Sequence, residues 1–339
     1  MNFKNMNESA VSPIVATLVL IVVAVVGAVA VGTIMGAFSS DVSEQMNTGD
    51  VSGSTASEIL IAGSTTVYPA SVELAQAYMA SHPGIKVTVQ GGGSGAGVAA
   101  AGMGVADIGA SSSESKITDK INDGTYPNMQ LWKIGGSAVC FVASGFEAGT
   151  SIDLDAIEKF YVNANTDGKV NVTAAAVAAK VITADSVLDP DAGTPTDIQV
   201  TVYQRGDDSG TEETVAEATT TYKSAKSLDA SNALEVTGNP AMLTSVEGST
   251  AAFGFVDYGF TTDTSAIVLS VDGQEPSSNN IKSTLKGTEK YPEKLCRGLY
   301  YAVNGNPTSV VKNFIDFAMS PGSIDCFDDA GMFSIMEIS

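Results

Sequence analysis

The chain has 339 residues, 44% of them hydrophobic, and its 38 acidic against 17 basic side chains leave a net charge of −21. Such an acidic chain excludes nucleic-acid binding through a general basic surface, because phosphate contacts need clustered Lys and Arg. The apolar content argues against disorder, and the length argues against one compact unit, since domains cluster at roughly 100–200 residues. The single histidine, His82, excludes a His-rich metal site, and only two arginines, Arg205 and Arg297, could grip an oxyanion with a planar fork.

From Val11 to Phe38 the chain carries 28 residues without a charge, 21 of them apolar. As a helix this stretch would run about 42 Å, longer than the ~30 Å hydrocarbon layer. A secretory signal has a much shorter apolar core, of roughly 7–15 residues. Two readings remain. One is a plain membrane anchor; the other is a helix that assembles with copies of itself. Ala24, Ala28, Gly32 and Gly36 recur every four residues, and such a line of small side chains lets helices pack backbone to backbone. The run from Glu8 through Ser12-Pro13-Ile14 to Thr17 resembles the start of archaeal type IV pilins. That resemblance implies removal of a leader, residues 1–9, between Ser9 and Ala10. It further implies a helix over 10–40, inserted in the cytoplasmic membrane before assembly and then bundled in the core of an extracellular filament. A Ser/Thr/Gly-rich linker follows over 41–57.

The globular part opens on a strand, Glu58–Ala62, broken by Gly63-Ser64-Thr65-Thr66. A helix then starts at Val67, with Pro69 suited to a first turn and Val72, Leu74, Ala75, Tyr78 and Met79 apolar. Ile85–Val89 reads as a strand, Gly91–Gly97 as a tight loop, Val98–Met103 as helix and Ala106–Ala110 as a third strand. This βαβαβ order predicts a parallel sheet with ligands beyond the C-terminal ends of its strands. Later, Ile198–Tyr203 reads as a strand leading into Arg205-Gly206-Asp207-Asp208-Ser209-Gly210-Thr211 and a helix from Glu212. Each of the three turns offers hydroxyls and free N–H groups at a helix start, the features that bind a tetrahedral oxyanion. Taken singly, each is equally an ordinary helix cap or turn. Three together, one of them carrying an arginine, favour an anion site. No Gly-Lys-Ser/Thr occurs, so there is no Walker A loop; Gly91-x-Gly93-x-x-Ala96 fits the dinucleotide fingerprint only as any glycine-dense run would.

Several motifs resemble the PstS-type phosphate-binding proteins of ABC transporters. They are Gly63–Pro69, Gly93–Gly97, Ala106–Gly109, Arg205-x-Asp207-x-Ser209-Gly210-Thr211, Ala252–Gly259 and Tyr291–Tyr301. The resemblance implies an α/β, two-lobed type II periplasmic-binding-protein fold, here preceded by the long N-terminal helix. Lobe one would comprise 58–134 and 257–339, and lobe two 135–256. It places a phosphate against Thr65, Thr66, Ser94 and Ser112 from one lobe and Arg205, Ser209, Gly210 and Thr211 from the other. Ser64, Asp207 and Asp208 would lie behind them, Asp207 holding Arg205 by an ion pair, while Arg297 would be structural. Two positions depart from the family. Ser112 stands where some members carry an Asp that accepts the ligand's proton, so phosphate and sulfate are not separated there. Asp208 replaces a usual Gly, either as a substitute acceptor or as a solvated loop residue.

The remaining features read modestly. His82 suits an exposed helix end and Trp132 a core position near the hinge. Cys296 and Cys326 could pair in an oxidising setting, and Asn171-Val172-Thr173 is a glycosylation sequon. The stretch 163–197 reads as surface of lobe two. No catalytic residue, metal or cofactor is expected, because no nucleophile has an adjacent His and no ligand cluster occurs. The sequence thus favours a filament subunit displaying a phosphate-binding domain, with phosphate or a related oxyanion and copies of itself as partners. The alternative is a membrane-anchored receptor delivering phosphate to an ABC permease, and a phosphatase on the same scaffold is disfavoured.

Overall fold

The computed structural model describes residues 57–219 and 232–339. The leader junction Ser9–Ala10, the line Ala24, Ala28, Gly32 and Gly36, and the linker up to residue 56 lie outside the described residues. Among the described residues no helix is long and apolar enough to cross a membrane.

Strands β1 (Ser57–Gly63), β2 (Ile85–Gly91) and β3 (Ile108–Ser111) alternate with helices α1 (Tyr68–Ser81) and α2 (Ser94–Gly102). β1 lies between β2 and β3 and pairs in parallel with both, as the βαβαβ order requires. The glycine-rich segment differs from the expected loop, because α2 begins at Ser94, four residues early. Gly93 turns the chain at φ 95°, and the glycines beyond it serve close packing. A Cβ on Gly97 would fall 2.4 Å from Gly63 Cα and 2.5 Å from Ala62 O, so α2 rests directly on β1.

The chain continues through α3 (Ser115–Asn122) into the 16-residue β4 (Met129–Ser144). Next come β5 (Lys169–Val172), β6 (Val187–Leu188), β7 (Ile198–Arg205), α4 (Gly210–Ala218), α5 (Gly238–Glu247), β8 (Ala252–Asp257) and β9 (Cys296–Asn304). Strand order is β2-β1-β3-β9-β4-β8-β7-β5-β6. Met129–Ala138 of β4 pairs antiparallel with β9, and Val139–Ser144 pairs antiparallel with β8. One long strand therefore passes from one half of the molecule to the other, and each half has its own apolar core. The first core gathers Ile59, Ile61, Leu74, Ile108, Leu299, Phe314 and Phe327, with Trp132 packed at its margin. In the second, Phe253 stacks on Phe160 at 4.1 Å and on Phe141 at 5.5 Å, over Val170, Val200 and Phe255. The result is the two-lobed α/β architecture.

Four details depart from the sequence reading or decide between its alternatives. Ile281, Tyr291, Leu295, Phe333 and Ile338, all beyond residue 257, pack in the second core. The stretch 163–197 is more than surface, since Val170, Val172, Ile182 and Val187 are buried in that same core. Asn171 is 8% exposed and its Nδ2 donates to Pro190 O at 2.8 Å, so its amide is not presented for glycosylation. All three cysteines are free thiols, Cys326 lying in the first core while Cys296 packs against the second. His82 does cap α1 at the surface, its ring 3.9 Å from that of Tyr78.

Candidate functional site

Where the two lobes meet, three helix starts converge on a buried group of hydroxyls. The α1 turn is organised by Ser64, whose Oγ accepts from Thr66 N at 3.2 Å and Val67 N at 3.4 Å. Ser64 Oγ in turn donates to Ser112 Oγ at 3.1 Å. Ser94, the first residue of α2, lies 3.3 Å from Ser112 Oγ and accepts from Ser112 N at 3.1 Å. From the other lobe, Ser209 caps α4 by accepting from Thr211 N at 3.1 Å and Glu212 N at 3.3 Å. Gly210 is pressed against the first lobe: a Cβ there would lie 2.7 Å from both Ser94 Oγ and Ser112 Oγ. Any side chain at 210 would push into this cluster. Thr66 Oγ1 and Thr211 Oγ1, from opposite lobes, are 3.0 Å apart.

Two arginines flank the hydroxyls, each held by its own carboxylate. Arg205 is 1% exposed; its Nε donates to Asp207 Oδ1 at 2.7 Å and one terminal nitrogen to Asp207 Oδ2 at 2.5 Å. The same nitrogen reaches Thr65 Oγ1 at 3.2 Å across the lobe boundary, and the other donates to Asn239 Oδ1 at 3.3 Å. Arg297 was expected to be structural, yet it lies in the site. One terminal nitrogen donates to Thr66 Oγ1 at 3.1 Å, Thr211 Oγ1 at 3.0 Å and Asp257 Oδ2 at 2.8 Å. Burial pulls the Arg297 guanidinium below its ordinary value, and the adjacent Asp257 opposes that shift. Strand position explains the convergence. β9 enters the first sheet beside β4, and Asp257 ends β8 on β4's other side.

All eight residues expected to touch the ligand, Thr65, Thr66, Ser94, Ser112, Arg205, Ser209, Gly210 and Thr211, are brought together, with Ser64 and Asp207 directly behind them. Asp208 lies on the loop at the solvent-facing rim, nearer the second of its two expectations. Its carboxylate pairs with Lys116 of α3 and lies over Gly95, and its side chain is 57% exposed at the rim. It thus links the lobes at the margin. A second link is buried: Glu213 of α4 accepts from Ser113 Oγ at 2.5 Å and Ser115 Oγ at 2.6 Å. Beside it a cleft of about 340 Å³, lined by Ser112, Thr214, Lys294, Arg297 and Tyr300, runs toward the surface. Sequence reasoning missed Asn239, Asp257, Glu213 and Arg297. Of these only Arg297 carried a signal, as one of two arginines in so acidic a chain. Among the described residues no group of three or more His, Cys, Asp or Glu is placed to hold a metal ion. The arrangement is one of hydrogen-bond donors and helix N-termini around two neutralised cations, which suits capture of a small oxyanion.

Comparison with known proteins bears on the family and the fold. Residues 48–321 match the model of the PBP superfamily domain. Among characterised relatives, the phosphate-binding protein PstS of Bacillus subtilis is 23% identical over 262 residues, covering 77% of this chain and 75% of that one. Among solved structures, one described as a phosphate ABC transporter substrate-binding protein with bound phosphate, from Clostridium perfringens, superposes with a TM-score of 0.64. It is 21% identical, over 82% of this chain and 99% of that one. An ABC-type phosphate transport receptor from Vibrio cholerae gives a TM-score of 0.54 at 24% identity, over 82% of this chain and the whole of the other. These likenesses concern the fold. With the family model spanning most of its length, the chain belongs to the PBP superfamily.

Proposed function

We propose that this protein is a PstS-type phosphate receptor that captures phosphate, or a closely related tetrahedral oxyanion, between its lobes. The observation that carries this reading is the buried meeting of Ser94, Ser112 and Thr66 with Gly210, Thr211 and Arg205 from the opposite lobe. Donors that sit on different lobes can all reach one anion only when the lobes close, so ligand binding and closure are a single event. The chain binds rather than catalyses, delivering its ligand to an ABC permease at the outer surface of the cell. The relatives named as phosphate-binding transport proteins support that role over a filament subunit. The filament reading rests wholly on residues 10–40, outside the described residues. On the receptor reading those residues serve as the anchor.

Titration calorimetry with phosphate tests the proposal. Saturable binding with one site per chain is expected, lost in Arg205→Ala. An Arg205→Ala variant that binds as the wild type does would refute the site.

A further inference from the structure

The segment that presents Ser209, Gly210 and Thr211 has a carboxylate at each end, Asp208 and Glu213, and both land on the start of α3 in the opposite lobe. Asp208 pairs with Lys116, and Glu213 with Ser113 and Ser115. The two contacts differ in their surroundings. The Asp208 side chain is 57% exposed, whereas Glu213 is 3% exposed. Water screens the first, so it holds the lobes weakly; the second is dry. Each lobe fixes its half of the buried contact. Val215, Ala216 and Ala218 root α4 in the second core. Ile117 roots α3 in a small cluster with Val98, Ala101, Met129 and Tyr300. The receiving turn is itself held, since Ser111 Oγ accepts from Ser113 N at 3.2 Å and donates to Ser113 O at 2.7 Å. An ionised carboxylate has no proton to give. Ser113 and Ser115 therefore each donate their one hydroxyl proton, to different Glu213 oxygens, at 2.5 and 2.6 Å.

Opening the lobes breaks both hydrogen bonds and returns the carboxylate to water. Closing them strips that water away, and the two serines must replace it, because a buried carboxylate without donors is costly. We infer that Glu213 is a latch for the closed state, docking on Ser113 and Ser115 once the lobes have met, so that it sets how long a captured anion stays rather than how fast it arrives. The inference rests on the receptor reading above. Glu213 is a positioning residue, acting through the contact between the lobes. Interactions made after the encounter appear in the dissociation rate, where most affinity differences between related complexes lie.

Capture and release of inorganic phosphate are to be measured by rapid filtration with radiolabelled phosphate. The proteins are the wild type, Glu213→Met, Ser113→Ala/Ser115→Ala and the triple variant. Glu213→Met keeps the length of the side chain and removes its acceptors. It should raise the release rate roughly tenfold or more, the loss of two hydrogen bonds to a charged group, with little change in the capture rate. The serine double variant sends Glu213 into the closed interface without those donors and should release faster still. Replacing Glu213 as well removes the stranded charge, so the triple variant should release more slowly than the serine double variant and close to Glu213→Met. An unchanged release rate in Glu213→Met, or effects that simply multiply in the triple variant, would overturn the latch. So would an affinity loss carried by slower capture alone. Should the serine double variant fail to fold, Ser115→Ala at its half-buried position supplies the test. It should speed release in the wild type and not in Glu213→Met; an equal effect in both, or none in either, would refute the inference. A wild type that retains no phosphate refutes the receptor reading itself. A wild type that retains it, with Glu213→Met releasing at the same rate, refutes the latch alone.

Discussion

Removing Arg297 is the perturbation whose cost follows most directly from the structure. Its side chain is 6% exposed and that of Asp257 is 0% exposed, and the two meet at 2.8 Å. In Arg297→Met the apolar volume is largely kept, but Asp257 is left as a buried carboxylate whose only other donors are Ser137 Oγ and Gly259 N. Breaking a buried pair from one side typically costs about 3–5 kcal/mol, because an uncompensated charge stays behind. At roughly 2–4 °C per kcal/mol for a chain of this size, the melting temperature should fall by on the order of 10 °C. Asp257→Asn in the same chain removes the orphaned charge while keeping an acceptor for Ser137, so the double variant should recover most of the loss. Calorimetric or fluorescence melts of the three variants measure the effect. Phosphate titrations alongside should show weaker binding in Arg297→Met, since Thr66 and Thr211 lose a shared donor. A single variant melting within roughly 2 °C of the wild type, less than 1 kcal/mol on that scale, would show that the pair carries no such load. A double variant as unstable as the single would refute the buried-charge explanation.

Other expectations follow from the same geometry. Arg205→Ala should weaken phosphate binding by at least a hundredfold in calorimetry, on the order of 3 kcal/mol, through loss of a buried charge that reaches across the lobes to Thr65. Asp208→Gly should speed phosphate release only a few-fold in stopped-flow traces, because an exposed ion pair such as Lys116–Asp208 is worth at most about 1 kcal/mol; the difference should vanish at high salt. Phe253→Ala should destabilise the chain by about 3–5 kcal/mol in urea unfolding, the usual cost of a cavity under a stacked, fully buried ring. Burial pushes the Cys296 thiol up to about 12. At neutral pH it therefore stays protonated, and iodoacetamide should label it far more slowly in the native protein than after unfolding.

Much of this was legible in the sequence because it depends on neighbours along the chain. The strands Ser57–Gly63 and Ile85–Gly91 and the helix Tyr68–Ser81 follow from local periodicity, and parallel pairing follows from their alternation. The hydroxyl-bearing turns at Ser64–Thr66, Ser94 and Ser209–Thr211 announce themselves, since an N-terminal turn needs only its own few residues to expose N–H groups. What the tertiary structure alone decided are the meetings between distant segments. That Gly97 is a packing contact rather than a loop residue depends on how close α2 lies to β1. That Asp208 pairs with Lys116 depends on two lobes facing each other. Arg297 and Asp257 become one buried pair because β9 and β8 flank the same long strand. Asn239 matters because its amide reaches Thr66, 173 residues away. A buried charge or hydroxyl takes its role from the donors and acceptors around it in three dimensions, and those partners leave no mark at its own position in the chain.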